Sequence, residues 1–193
     1  MTRIIAGSAG GLRLETPRGS GTRPTSDRVR EALFSAIESR WDLDGARFLD
    51  LYAGSGALGL EAWSRGAEAV TLVESDRRAA DLITANAATI GCRDAEVLHR
   101  PVAAVLAAAA PRAYDVVVAD PPYAVDEAVL AEDLASLATH DWLAPEALVV
   151  VERSARSPAP TWPPGLVPLR GKRGHRRYGE TALWFAEWHP EVH

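Results

Sequence analysis

The sequence predicts a doubly wound, mostly parallel α/β sheet, and three observations carry that expectation. Apolar runs of strand length alternate with longer segments of helical period over residues 47–152. A glycine-rich stretch follows the first of these runs, where a strand would turn into a helix. The only cysteine is Cys92, and no apolar run approaches the roughly 20 residues that cross a bilayer, so neither a disulfide scaffold nor a membrane bundle competes. With 193 residues, 47% hydrophobic and 24% charged, the chain can bury the core of one ordinary domain.

The elements follow in order. Residues 3–6 and 12–15 flank Gly7-Ser8-Ala9-Gly10-Gly11 and read as a hairpin. Thr25-Ser26-Asp27 then supplies N-cap residues for a helix to about residue 40, with Val29, Leu33, Ile37 and Trp41 spaced by four on one face. Arg28 and Arg30 fall outside that apolar stripe. Strands are expected at 47–52, 69–74, 96–99, 115–119 and 147–152, with helices at 58–65, 77–90, 102–109 and 127–139. The tail differs. Residues 167–170 and 181–188 read as two more strands, joined by a basic loop too short for a crossover helix, so they must run antiparallel. The result is a seven-stranded sheet with a C-terminal antiparallel strand and a small N-terminal hairpin and helix extension. Its expected division is an extension over 1–42 and a main domain over 43–193.

The formal charge of −5 at first argues against a nucleic-acid partner, but the distribution does not. Residues 1–30 hold Arg3, Arg13, Arg18, Arg23, Arg28 and Arg30 against Glu15 and Asp27, a net +4; residues 170–178 hold Arg170, Lys172, Arg173, Arg176 and Arg177 with no acid, a net +5. The chain is an acidic body with a basic segment near each end, which would make one basic face if the ends meet. Arg23, Thr25, Arg28, Arg30, Lys172, Arg173, Arg176 and Arg177 are the candidate nucleic-acid contacts. A solvated charged surface is the plain alternative. The five histidines show no metal-ligand spacing, so no metal is expected. The start of the chain lacks a signal-peptide pattern, which points to a cytoplasmic protein.

Two motifs carry chemistry. The first strand ends in Asp50-Leu51-Tyr52-Ala53-Gly54-Ser55-Gly56-Ala57-Leu58-Gly59, a G-x-G-x-x-G at a strand-to-helix turn. Glu74 closes the next strand 20 positions after Gly54, the spacing at which a carboxylate accepts hydrogen bonds from a ribose. Together they point to a nucleoside-containing cofactor. Asp50 favours S-adenosylmethionine (SAM) over NAD, because a carboxylate there could meet an ammonium group but would repel a pyrophosphate. Tyr52, Ser55 and Ser75 complete the candidate cofactor contacts along this turn and the next strand end.

The second motif is Asp120-Pro121-Pro122-Tyr123, delivered by an apolar strand to the carboxyl edge of the sheet, where open α/β folds bind ligands. Two prolines remove two N–H donors and leave carbonyls. An aromatic amine must take its lone pair out of conjugation before it can attack a methyl group. Acceptors that hold its N–H protons, here Asp120 and the Pro121 carbonyl, would allow that, and Tyr123 would stack on the base. The expected reaction is an in-line methyl transfer with no covalent enzyme intermediate.

With these motifs placed, the chain resembles the bacterial 16S rRNA guanine-N2 methyltransferases of the RsmD type. Three further stretches carry the resemblance: Arg3-Ile4-Ile5-Ala6-Gly7; Arg23-Pro24-Thr25-Ser26-Asp27-Arg28-Val29-Arg30-Glu31-Ala32-Leu33-Phe34; and the glycine turn continued through Leu60-Glu61-Ala62. The resemblance implies a Rossmann-like SAM-dependent fold, a SAM site including Asp50, Gly54, Gly56 and Glu74, and catalysis by Asp120, Pro121, Pro122 and Tyr123. It also implies the substrate, one guanine of small-subunit rRNA on an assembled particle, and a small enzyme for so large a target is expected to be a monomer. Members usually carry an Asp after the third strand, near adenine. Here the segment is His99-Arg100-Pro101-Val102, which leaves adenine to backbone and apolar contacts at Val102, with Asp120 also close to the cofactor. An adenine-N6 methyltransferase acting on DNA or RNA is the alternative, an NAD-dependent oxidoreductase or a non-catalytic RNA-binding module the more distant ones.

Overall fold

A computed structural model describes residues 2–18 and 26–191, in two compact units that part between Pro101 and Val102. The expected RNA contacts Arg23 and Thr25 lie outside the described residues.

The first unit begins with a short hairpin, β1 (Thr2–Arg3) and β2 (Arg13–Leu14), paired antiparallel. Helix α1 (Asp27–Glu38) follows, and Ser26 caps it by accepting the Val29 N–H. Then come β3 (Arg47–Leu51), α2 (Ala57–Ser64), β4 (Ala69–Glu74), α3 (Arg77–Ile90) and β5 (Glu96–His99). Strands β3 and β4 pair parallel, as do β4 and β5, because each connection is a helix that returns the chain to the same end. The hairpin shares an apolar cluster with the helices: Ile4, Ala9 and Leu14 pack with Leu60 of α2 and Ala87 and Ile90 of α3.

Val29, Leu33 and Ile37 are buried as the spacing of four requires. Arg30 is not where the stripe placed it. It is 1% exposed, beside Glu61 at 3.5 Å and Asp27 at 3.1 Å, and its guanidinium donates to the Arg3 carbonyl and to Thr2 Oγ1. A long side chain can leave an apolar stripe and still turn inward when a buried carboxylate awaits it, and Glu61 is 0% exposed. Arg30 is therefore part of the core and not an RNA contact. Arg28 is exposed.

The second unit contains α4 (Val102–Leu106), β6 (Tyr114–Ala119), α5 (Glu127–Thr139), β7 (Leu143–Ser154), β8 (Leu166–Pro168), β9 (His175–Tyr178) and β10 (Thr181–Trp188). Strands β6 and β7 run parallel; β10 runs antiparallel to β7, β8 and β9. The antiparallel tail is as expected, but the basic segment is not a plain loop. Gly171–Arg173 form one 3-10 turn, and β9 pairs with β10 in a hairpin, so beyond the N-terminal hairpin the described chain has eight strands where seven were expected. The alternation that marks a half-buried strand is hidden there because both faces of β9 carry arginine or an aromatic. Among the described residues, no helix is long and apolar enough to cross a membrane.

Candidate functional site

In the first unit the glycine turn follows β3 and is held from several sides. Tyr52 has a φ of 60°, a left-handed conformation that a non-glycine residue adopts only where its surroundings impose it. Ala53 donates its N–H to the Val73 carbonyl, and Gly56 donates to Ala53. The Gly54 N–H goes to Glu74 Oε1 at 2.8 Å, while Glu74 Oε2 accepts the Asp76 N–H at 2.9 Å. Glu74 is thus tied to the turn before any ligand is considered, and a carboxylate with one such bond to each oxygen keeps acceptor capacity for hydroxyls. Gly56 has a φ of 83°, and a Cβ there would meet Ile83 at 3.0 Å; one on Gly59 would meet Leu72 at 2.7 Å. These two glycines let α2 and the turn lie close against β4 and α3.

Asp50 is 1% exposed, and its Oδ2 accepts the Gly59 N–H at 2.9 Å. This bond joins the end of β3 to the first turn of α2. Through this oxygen the buried carboxylate braces the turn. Ser55 is half-buried and Ser75 exposed. Next to Ser75 stands a residue that was not singled out as a contact: the His99 ring meets the Ser75 carbonyl at 3.1 Å. The parallel register of Glu74 with His99 is the reason, and strand pairing is the signal that could have found it.

In the second unit β6 is buried through Val116, Val117, Val118 and Ala119, and the chain then leaves it as Asp120-Pro121-Pro122-Tyr123. Pro121 is buried, Pro122 exposed, and Tyr123 is 68% exposed, a large ring presented to solvent. The Pro122 carbonyl accepts the Val125 N–H, closing a turn. Arg153 of β7 anchors the descending arm by donating to the Val125 carbonyl and pairing with Glu127. Asp126 caps α5 through the Val129 N–H. Arg153 was missed because nothing local links it to a segment 28 residues away. Val102 is buried at the start of α4.

The basic segment is ordered by its own contacts. Arg176 Nε donates to the Lys172 carbonyl and its guanidinium lies 5.9 Å from the Phe185 ring, while Arg177 Nε donates to the Gly179 carbonyl. Lys172 and Arg173 are exposed. Cys92 is buried, which pushes its thiol up to about 11, so it is no nucleophile near neutral pH. Among the described residues no group of histidines, cysteines and carboxylates could hold a metal ion.

A family described as Conserved hypothetical protein 95 matches residues 2–187. The chain is 40% identical over 161 residues to ribosomal RNA small subunit methyltransferase D of Escherichia coli K12, covering 83% of this chain and 79% of that one. It is 38% identical over 160 residues to the Haemophilus influenzae protein of the same name, covering 81% and 80%. The solved structure of the Escherichia coli protein yhhF superimposes with a TM-score of 0.85 at 34% identity, covering 98% of each chain. The fold is accordingly the α/β Rossmann-like one with a mostly parallel sheet and a small N-terminal hairpin.

Proposed function

The chain belongs to the RsmD family of methyltransferases, and from that premise we propose that it methylates the exocyclic N2 amine of one guanine in 16S rRNA, on the small ribosomal subunit, with SAM as donor. The observation that carries this reading is Asp120-Pro121-Pro122-Tyr123 leaving the carboxyl end of a buried parallel strand with Tyr123 largely exposed.

When bound, SAM supplies a methyl group activated by its sulfonium. The residues of the glycine turn suit such a ligand. Glu74 accepts the ribose hydroxyls, Gly54 and Gly56 let the backbone approach, and Tyr52, Ser55 and Ser75 line the same turn. Val102 contacts the adenine. Asp50, which braces the turn through the Gly59 N–H, meets the ammonium group of the methionine part. Tyr123 stacks on the guanine and sets its plane. The Asp120 carboxylate and the Pro121 carbonyl accept hydrogen bonds from the two amine N–H groups, so the nitrogen can turn pyramidal with its lone pair outward, and the one proton that the methylated amine sheds would leave by way of Asp120 to solvent. Pro122 holds the loop by its ring and by its carbonyl bond to Val125.

Arg28, Lys172, Arg173, Arg176 and Arg177 bind RNA phosphates, as do Arg23 and Thr25, with residues 1–42 forming the RNA-facing extension and 43–193 the methyltransferase domain. The enzyme works as a cytoplasmic monomer. The test is incubation with labelled SAM and small subunits from cells lacking the modification, followed by nuclease mapping. Label in one N2-methylguanosine is the expected outcome; label in adenine, or none in RNA, overturns the reading.

A further inference from the structure

Asn86 sits inside α3 and is 3% exposed, in a helix otherwise packed through Ala79, Ala80, Ile83, Ala87 and Ile90. Asparagine is a poorer helix former than the alanines around it, and a buried amide is costly unless bonded, so its presence has a cause outside the helix. Its side chain bonds two backbone segments. Oδ1 accepts the Glu15 N–H at 2.9 Å; Nδ2 donates to the Glu15 carbonyl at 2.9 Å and to the Ser55 carbonyl at 3.0 Å. Glu15 follows β2 of the N-terminal hairpin, and Ser55 lies in the middle of the glycine turn. One amide thus fixes both, with both of its N–H groups and its oxygen engaged.

The hairpin is clamped to the same element from the other side. Ile5 and Ala6 donate their N–H groups to Glu61, Ala9 donates to Ser64 Oγ, and Ser8 to the Ser64 carbonyl, all on α2, the helix that the turn opens. A shift of the hairpin is therefore felt by both the turn and its helix.

We propose that Asn86 is a positioning residue that sets the shape of the cofactor turn from the N-terminal hairpin, so that RNA on the N-terminal extension and SAM on the turn bind cooperatively. The proposal rests on the function given above. Exposed Arg18 lies three residues after Glu15, and RNA held at the basic residues of the extension would favour one placement of Glu15. Through Asn86 that placement favours one placement of the Ser55 carbonyl. Linkage then requires the reverse effect, in which SAM on the turn strengthens RNA binding by the same factor.

The experiment measures SAM affinity by calorimetry, alone and, with the unreactive S-adenosylhomocysteine standing in for SAM, on saturating unmethylated small subunits, for the wild type, Asn86→Asp and Glu15→Pro. Subunits should tighten SAM binding to the wild type by about fivefold or more. Asn86→Asp keeps the shape but turns a carboxylate oxygen towards two carbonyls. It should weaken SAM binding about tenfold, abolish the subunit effect, and raise KM for SAM more than it lowers kcat. Glu15→Pro deletes only the N–H given to Oδ1 and leaves the bond to Ser55. It should bind SAM alone within about twofold of wild type and lose most of the subunit effect.

SAM binding to Asn86→Asp within twofold of wild type overturns the positioning role. A subunit effect that is absent from the wild type, or undiminished in Glu15→Pro, overturns the coupling, and the latter holds even if Asn86→Asp does not fold. A wild type that binds no SAM at all would instead overturn the cofactor reading.

Discussion

The glycine turn and the Asp120-Pro121-Pro122-Tyr123 loop each leave the carboxyl end of a buried parallel strand, yet they are built in opposite ways. The turn is closed on itself. Its N–H groups at Gly54, Gly56 and Gly59 reach Glu74, Ala53 and Asp50, and its Ser55 carbonyl is held by Asn86. The loop has prolines where N–H donors would be, exposes Tyr123, and is held further on by Arg153, which meets Val125 and Glu127. A small cofactor is best met by a site shaped in advance, because ordering the site on binding would cost affinity. A base taken out of an RNA fold brings its own plane and its own donors, so acceptors and an exposed ring suffice until it arrives.

The contrast can be broken most directly at Asp120. Asp120→Ala should lower the single-turnover methylation rate about 10²–10⁴-fold while leaving SAM affinity within several-fold. Near-normal turnover would mean that the loop is not where the amine is held. A loss in stability and not in rate is expected from the core of the first unit. Arg30→Ala removes the guanidinium bonded to the Arg3 carbonyl and Thr2 Oγ1, leaves Glu61 with Arg65 and the Ile5 and Ala6 N–H groups, and should cost about 1–3 kcal/mol in denaturant unfolding, whereas Arg28→Ala on the exposed side of α1 should change stability by less than about 0.5 kcal/mol. Equal effects of the two would return Arg30 to the surface.

Effects of that size or smaller sharpen the same comparison. Gly59→Val forces a side chain into Leu72 and should cost about 1–3 kcal/mol, while Pro122→Ala in the open loop should leave the melting temperature almost unchanged. Lys172→Glu with Arg173→Glu should weaken subunit binding and flatten its salt dependence by about two units of slope, one per lost phosphate contact; an unaltered slope would put RNA elsewhere. The smallest effect is a pH dependence. The Cys92 thiol has its ordinary value of 9.0 when the chain is unfolded and about 11 when folded, so above pH 9 only the unfolded chain ionises readily. Stability should therefore fall as pH rises from 9 towards 11, and Cys92→Ala should show a shallower fall in melting temperature over that window. Parallel curves would show that the thiol does not contribute.

Much of this was legible from residue order because it depends on near neighbours. Ser26 capping α1, the strand-to-helix turn at Gly54 and the spacing to Glu74 are local relations. Arg30 misled for the opposite reason. Its place on the helix surface was read correctly as lying off the apolar stripe, but its environment was decided by Glu61, on another helix. Asn86 looked like one polar residue in an alanine-rich helix, and β9 like a run of charge, since neither carries a sign of the backbone it will meet.

What the sequence determined by itself was the alternation of strands and helices before the tail and the two motifs, because hydrophobic period, capping residues and turn glycines act over a few residues. What only the tertiary structure decided was which polar groups are buried and what they bond to. Asp50, Glu61, Asn86 and Arg30 are all nearly inaccessible, and each bonds to partners that the chain reaches only after folding. A buried polar group is tolerable only when such partners exist. Sequence distance conceals them, so the turn and the tetrapeptide were visible as motifs while the framework that holds the turn was not.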